Sequence, residues 1–332
     1  MKVVITGGAG FIGRRLARRI LEKGTLADAG GVQREVSKVV LFDIVEATGF
    51  EGDSRVETVA GDVSDKAQIA NLIGKDAGSI FHLAAIVSAQ AEEDYDLGMR
   101  INLDGTRHVL EAARALPHVP RLVFASSVAV YGGDNLPDTV TDQTPITPMT
   151  SYGAAKACGE YLVSDMSRKG FIDGRSLRLP TIVVRTGKPN RAASTWASSM
   201  VREPLCGVDM TVPVTRESNM SLLSPRRVVE AFVTAHEAPG EEIGGWRSML
   251  LSGITVSAGE IAAAVERNKG NRKLGEITFK TDPAIQAIVN GWPGGTKGAR
   301  AEALGIGTDS SIDEIVRHFI EDDLDNQIQG IF

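Results

Sequence analysis

Met1-Lys2-Val3-Val4-Ile5-Thr6-Gly7-Gly8-Ala9-Gly10-Phe11-Ile12-Gly13 opens the chain. Val3, Val4 and Ile5 are β-branched and uninterrupted, so they read as a buried strand. From Phe11 to Glu22 the pattern changes. Ile12, Leu16, Ile20 and Leu21 share one helical face and arginines take the other. Gly7, Gly10 and Gly13 occupy the turn between strand and helix, spaced G-x-x-G-x-x-G. One glycine makes the sharp turn, one lets a pyrophosphate approach the backbone, and one lets helix and strand pack closely. The helix start then offers free N–H groups and a positive dipole end to phosphates. Without a ligand the same stretch is simply a tight glycine turn. Its place between a strand and an amphipathic helix favours a dinucleotide site.

Outward from this turn, short apolar runs alternate with amphipathic segments. Val39–Phe42, Val56–Ala60, Ile80–Leu83, Arg121–Ala125 and Ser176–Val184 read as strands, and 95–116 and 151–168 as helices. This order predicts an α/β fold, a doubly wound parallel-sheet Rossmann domain. After residue 185 the alternation weakens. A helix at Pro225–Ala238 returns to the sheet, and a strand near Met249–Leu251 and helices near 257–268 and 311–322 suggest a smaller C-terminal α/β substrate lobe. The expected division is 1–185 plus about 218–240 for the Rossmann domain, and about 186–217 plus 241–332 for the lobe. Leu26–Ser37 is polar and reads as a surface insertion.

Composition narrows the class. The 332 residues are 42% hydrophobic and 23% charged, ordinary for a globular protein with a real core. A net charge of −6 argues against nucleic acid as a partner. No apolar run approaches the ~20 residues that span a bilayer, and no signal-peptide core follows Met1, so no membrane role and a cytoplasmic location are expected. Cys158 and Cys206 lie in no metal or disulfide pattern, so no metal is expected, and Cys158 reads as a small packing residue.

Asp43 ends the second strand. A carboxylate there can accept bonds from both hydroxyls of an adenosine ribose and repels a 2′-phosphate. The next residue is Ile44, not arginine, which favours NAD over NADP. Gly13 to Asp43 is 43 − 13 = 30 residues, more than the usual ~20, and the 26–37 insertion absorbs the excess. Asp43 could also serve as a cap or turn residue. Asp62, after the third strand, could reach an adenine amino group or serve a turn.

Tyr152 and Lys156 stand one helical turn apart, and Ser127 ends the fifth strand. A tyrosine of pKa ~10 must drop by roughly 3 units to act as a base near neutrality. A neighbouring ammonium favours the phenolate, and a lysine there can also hold the nicotinamide ribose. The serine hydroxyl can orient a substrate oxygen. A Y-x-x-x-K pair also arises by chance on solvated helices. Together with Ser127 and the glycine turn it indicates a nicotinamide-dependent enzyme that moves a hydride at a carbon bearing a hydroxyl.

Thr6-Gly7-Gly8-Ala9-Gly10-Phe11-Ile12-Gly13, Asp62-Val63, His82-Leu83-Ala84-Ala85, Asn102, Ser126-Ser127-Val128-Ala129-Val130-Tyr131-Gly132, and Tyr152 with Lys156 resemble the extended short-chain dehydrogenases/reductases, the group of nucleotide-sugar epimerases and dehydratases. The resemblance covers about the first 185 residues. It implies NAD as cofactor, with Tyr152 as base, Lys156 lowering its pKa and Ser127 aligning substrate. It implies a cofactor set of Gly7, Gly10, Phe11, Ile12, Gly13, Asp43, Asp62, Val63, Leu83, Ala84, Ala85, Asn102, Tyr152, Lys156, Pro180 and Ile182. Asn102 would support the active-site helix. A homodimer through helices 95–116 and 151–168 would follow.

Two stretches depart from the sugar-nucleotide pattern: Val184-Arg185-Thr186-Gly187-Lys188-Pro189-Asn190-Arg191 and Leu223-Ser224-Pro225-Arg226-Arg227. They resemble instead members acting on a small sugar acid, which implies oxidation at C2 to a 2-oxo acid. Arg185, Lys188 and Arg191 cluster beyond the sixth strand. An arginine fork binds a carboxylate with two parallel hydrogen bonds, although a solvated basic loop or a diphosphate site fits too. Ser88, Ser127, Tyr152, Arg185, Lys188 and Asn190 form the expected substrate set. His82 and His236 read as structural. The alternative is an epimerase or dehydratase that retains its NAD. Val128 after Ser127, where a dehydratase usually carries an acid nearby, argues against the latter.

Overall fold

The computed structural model describes residues 1–187 and 193–330. Seven strands form the main sheet: β1 (Lys2–Thr6), β2 (Lys38–Asp43), β3 (Val56–Ala60), β4 (Ala77–His82), β5 (Arg121–Ser127), β6 (Asp173–Leu179) and β7 (Ser248–Leu250). Their order is β7-β6-β5-β4-β1-β2-β3, all parallel. β1 pairs β4 on one side and β2 on the other, so the winding reverses at its carboxyl end. That is the switch point where open α/β sheets bind ligands. The glycine turn leaves β1 there.

Alternation along β1 splits the core. Val3 and Ile5 face a layer with Leu16 and Ile20 of α1 (Phe11–Lys23). Val4 faces the other layer, with Ile69 and Leu72 of α2 (Lys66–Ile73) and Val109 of α3 (Gly105–Arg114). The long helix expected over 95–116 is one helical run, 95–114, whose middle turn, Met99–Asp104, is π-helical. α4 (Ser151–Arg168) fills the expected span, and Thr150 Oγ1 caps it by accepting the Gly153 N–H at 3.0 Å.

The lobe has its own core, around Trp196, Met200, Met220, Ile261 and Phe319. It is built by α5 (Thr195–Leu205), α7 (Ala258–Asn268), α8 (Ile312–Asp322) and a small sheet of Thr181–Ile182, Asn219–Leu223 and Ile254–Ser257. α6 (Pro225–Glu237) returns to the sheet domain and packs Val228 and Phe232 beside α1.

Several elements differ from expectation. The sixth strand spans Asp173–Leu179, not 176–184. Pro180 lacks the N–H a parallel ladder needs, and Thr181–Ile182 crosses to the lobe sheet. The strand expected in the lobe near Met249 is β7, hydrogen-bonded to β6 in the main sheet. The 26–37 insertion is a hairpin, Thr25–Ala27 with Gln33–Glu35, and Leu26, Ala27 and Val36 are buried in the core. Cys158 is exposed, because it lies on the outward face of α4.

Candidate functional site

Physical constraint is concentrated at the glycine turn. Gly7 has φ +74°, and a Cβ there would stand 2.9 Å from Ala84 N. A Cβ on Gly13 would come within 2.2 Å of Gly7 O. Neither site admits a side chain. α1 has no side-chain cap, and its first helical bond runs from Arg14 N–H to Gly10 O at 3.1 Å. The first-turn N–H groups of Phe11, Ile12 and Gly13 therefore have no helical acceptor. Asp43, at the end of β2, accepts the Ala9 N–H at 3.1 Å and so holds its carboxylate against the turn. Leu83 and Ala84 line the other side, their N–H groups bonded to Thr6 O at 3.0 Å and Thr6 Oγ1 at 3.3 Å. Uncapped donors, a cradle that a Cβ would fill and a carboxylate beside it fit a dinucleotide. Ile12 partly covers the sheet core, and Val63 is buried against Gly105. Asp62 serves a local turn, its Oδ1 accepting Ser64 N–H at 2.8 Å and Ser64 Oγ–H at 2.7 Å.

β5 and α4 meet at the chemical end. Ser127 Oγ accepts the Ala129 N–H at 3.1 Å and lies beside Tyr152, where it favours the phenolate. Lys156 is buried and donates to Ala125 O at 2.8 Å. Its ammonium stands 5.6 Å from the Tyr152 ring centroid and 4.8 Å from that of Phe124. Burial pulls Lys156 down to about 7, against the pull of Glu160. Burial also raises Tyr152 above the ordinary phenol range, with Arg185 and Ser127 working against it. The expectation of a lowered tyrosine is thus not met by the protein alone, because desolvation of the phenolate outweighs the nearby cation.

Arg185 faces Tyr152 from the lobe side, and burial lowers its pKa. Its N–H goes to Ser198 Oγ at 3.1 Å, and its carbonyl accepts Arg202 Nη1 at 2.6 Å. Ser88, Ser127, Tyr152 and Arg185 line one cavity of about 340 Å³ with Pro180 and Trp292. Lys188, Asn190 and Arg191 lie outside the described residues. Ile182 is buried in the core beside the lobe sheet. The Asn102 amide clamps Ile86, accepting the N–H at 2.9 Å and donating to the carbonyl at 3.2 Å, and so fixes the loop that leads to Ser88.

Sequence reasoning missed Ile288, Trp292 and Glu92, which also line the cavity. Trp292-Pro293-Gly294-Gly295 was the available signal. A Cβ on Gly295 would meet Thr139 Oγ1 at 2.7 Å, so this glycine seats the lobe segment against the sheet domain. His82 and His236 are structural as expected. His82 bridges Thr6 and Thr106 at 2.6 and 3.0 Å, and His236 bonds Ser79 at 2.8 Å. Elsewhere Asp309, Glu314 and His318 converge within 4.8 Å. Arg227 already answers them, its Nε 3.9 Å from Asp309 and its Nη2 3.3 Å from Glu314.

Comparison with known proteins agrees with this geometry. The NAD dependent epimerase/dehydratase family model matches residues 3–245. The chain is 49% identical to D-erythronate dehydrogenase of Cupriavidus necator, over 97% of this chain and 98% of that one. It is 40% identical to the enzyme of the same name from Haemophilus influenzae, over 98% and 100%. A crystal structure described as the nucleoside-diphosphate-sugar epimerase of Agrobacterium tumefaciens superposes with a TM-score of 0.91 at 38% identity, covering 99% of this chain and 96% of that one.

Proposed function

The chain belongs to the NAD-dependent epimerase/dehydratase family, and on that premise we propose that it oxidises a small sugar acid, D-erythronate, at its C2 hydroxyl to the 2-oxo acid. One observation carries this reading. Ser127, Tyr152 and Arg185 line one cavity of about 340 Å³. That volume has room for a four-carbon acid. The relatives named D-erythronate dehydrogenase support the choice of acid.

In this reading Arg185 takes the substrate carboxylate in a charge-assisted pair. Ser127 holds the reacting hydroxyl against Tyr152, and Tyr152 removes its proton. Lys156 shifts toward the phenolate-stabilising ammonium form as its burial is offset by nearby negative charge. NAD, when bound, supplies the hydride acceptor and a positive ring that favours the phenolate. Asp43, the α1 N-terminus and the Gly7–Ala84 contact would hold it. Ser88, set by the Asn102 clamp, reaches substrate hydroxyls. Lys188 and Asn190 belong to the same proposal as further substrate contacts.

Exposed Tyr95 and Tyr161, on the helical run 95–114 and on α4, support a homodimer through those helices. No helix among the described residues is long and apolar enough to cross a membrane, and an activity that draws on the soluble NAD pool fits the cytoplasm.

The test is NADH formation by purified protein with NAD and a panel of four-carbon and related sugar acids. A signal with D-erythronate and not with longer acids is the expected result. The Agrobacterium neighbour's description favours a second reading, epimerisation of a nucleotide-sugar with NAD retained. A flat NADH trace, together with conversion of a nucleotide-sugar, would establish that reading instead.

A further inference from the structure

Behind the reacting groups lies a second, fully enclosed set of charges. Glu160 is on α4, one turn beyond Lys156, and is 0% exposed. Its carboxylate accepts Ser126 Oγ–H at 2.5 Å, Arg178 Nε at 2.9 and 3.1 Å, and Arg178 Nη2 at 2.7 Å. Arg178, 2% exposed, lies on β6 opposite Ser126 in the sheet register. Its remaining arm, Nη1, donates to the Tyr131 hydroxyl at 2.6 Å. Tyr131 forms a wall of the substrate cavity. Ser126 stands between Ala125, whose carbonyl carries the Lys156 ammonium, and Ser127, which lies beside Tyr152.

Such a pair is costly to bury, and an apolar pair of similar volume often serves stability as well. Its position calls for another reason. We propose that Glu160 is a positioning residue for the reaction, locking the end of β5 so that Ala125 and Ser127 present Lys156 and Tyr152 in register, while Arg178 extends the same lock to Tyr131 in the substrate wall. The proposal rests on the roles given above to Ser127, Tyr152 and Lys156, but not on which acid is oxidised.

The lock also has a charge. Lys156 is drawn down by burial, and Glu160 is the neighbour that raises it. The other charged or titratable groups facing this cluster are Tyr152 on α4, His82 on β4, Arg178 on β6 and Arg185 beyond Pro180. Asp142 and Arg300 lie further out, beside Tyr131 and Arg178. His82 is held neutral by burial, its pKa down to about 3. Arg178 is cationic, and so is Arg185 despite its lowered pKa. Glu160 is the carboxylate that acts on Lys156. Without it Lys156 loses its proton at lower pH, and the tyrosine base loses its cationic neighbour over more of the working range.

The experiment compares wild type, Glu160→Gln and Ser126→Ala, using whichever substrate wild type turns over. Glu160→Gln keeps the shape and an acceptor for Ser126 but removes the charge. The expected result is a fall in kcat of tenfold or more near neutrality. The alkaline limb of the kcat profile, where Lys156 gives up its proton, should move down by about one pH unit, and KM for the acid should change less than threefold. Lys156 itself, followed by ¹⁵N NMR of the holoenzyme, should titrate lower than in wild type. Ser126→Ala removes the lock but leaves the charge. It should lower kcat about fivefold with no movement of the pH profile. A folded Glu160→Gln with an unshifted profile and an unmoved Lys156 titration would overturn the proposal, since a merely structural pair would give that. If Glu160→Gln does not fold, Ser126→Ala decides, and an unchanged kcat there would overturn it too. The Lys156 titration needs no turnover, so it separates failure of this inference from failure of the assigned substrate.

Discussion

The Lys156 ammonium donates to the carbonyl of Ala125 at 2.8 Å, so the cation of α4 is tied to the strand that ends, two residues later, in Ser127. Strand and helix are thereby joined at the point where chemistry is expected. The tie is backbone-directed, and it also leaves the ammonium over two aromatic rings. Tyr152 is the group it serves. Tyr152→Phe removes one hydroxyl and leaves the ring. Turnover should fall by about 10²–10⁴-fold, the usual contribution of a general acid–base group. NAD affinity should stay within about threefold, because the glycine turn and Asp43 are untouched. Kinetics with a fluorescence titration of NAD check both halves, and a variant that kept most of its turnover would remove Tyr152 as the base.

Arg185 should govern affinity for the acid rather than the chemical step. A hydrogen-bonded charge contributes about 1.5–3 kcal/mol, so Arg185→Gln should raise KM by about 10–150-fold. Its effect on kcat should be smaller. Arg185→Lys should rescue poorly, since an ammonium cannot reproduce the planar fork. Esterified or reduced substrates that lack the carboxylate should lose the distinction between wild type and variant.

At the glycine turn the controlling distance is between atoms of the backbone. Gly13→Ala would press a methyl to 2.2 Å from the Gly7 carbonyl, which cannot rotate away. Helix α1 must then lift from the turn, and the phosphate-facing N–H groups move with it. NAD binding should weaken by at least 100-fold while the isolated fold persists with a lower melting point. Asp43→Ala should act differently. It should leave the turn in place, cost NAD about tenfold, and narrow the preference over NADP by removing a repulsive carboxylate. Isothermal titration with both cofactors separates these two outcomes.

Much of this was legible locally. Val3–Ile5, the glycine turn and α4 carry their own boundaries: apolar period, glycine punctuation and a Thr150 cap. The end of β6 was not legible, because Thr181-Ile182-Val183-Val184 continues a β-branched run while the chain changes sheets at Pro180. β7 has three residues, and its parallel partner lies 72 residues upstream (248 − 176 = 72). No local pattern encodes such a pairing. Trp292 and Ile288 reach the cavity through the packing of the lobe, again a non-local fact. Glu160 was overlooked because an acid four residues after a lysine usually marks a solvated helix face. Arg178, set between Leu177 and Leu179 in a strand, was the sign that charge is carried inward.

The two buried histidines predict the acid limit of the fold. Burial drives His82 down to about 3 and His236 to about 4, from 6.5 in the unfolded chain. Lys156 adds to the depression of His82, and Arg175 and Arg121 to that of His236. Both imidazoles are therefore neutral when folded, while the unfolded chain takes up a proton on each below pH 6.5. Stability from these groups is complete above pH 6.5 and is lost as pH falls toward 4 and then 3, because the unfolded state binds more protons throughout that window. Urea unfolding between pH 7 and 4.5 should show a falling midpoint. His236→Gln, which can still reach Ser79 but cannot titrate, should be less stable than wild type at pH 7 and lose less on acidification. If the variant and wild type lost stability in parallel, His236 would not be one of the groups that take up protons on unfolding.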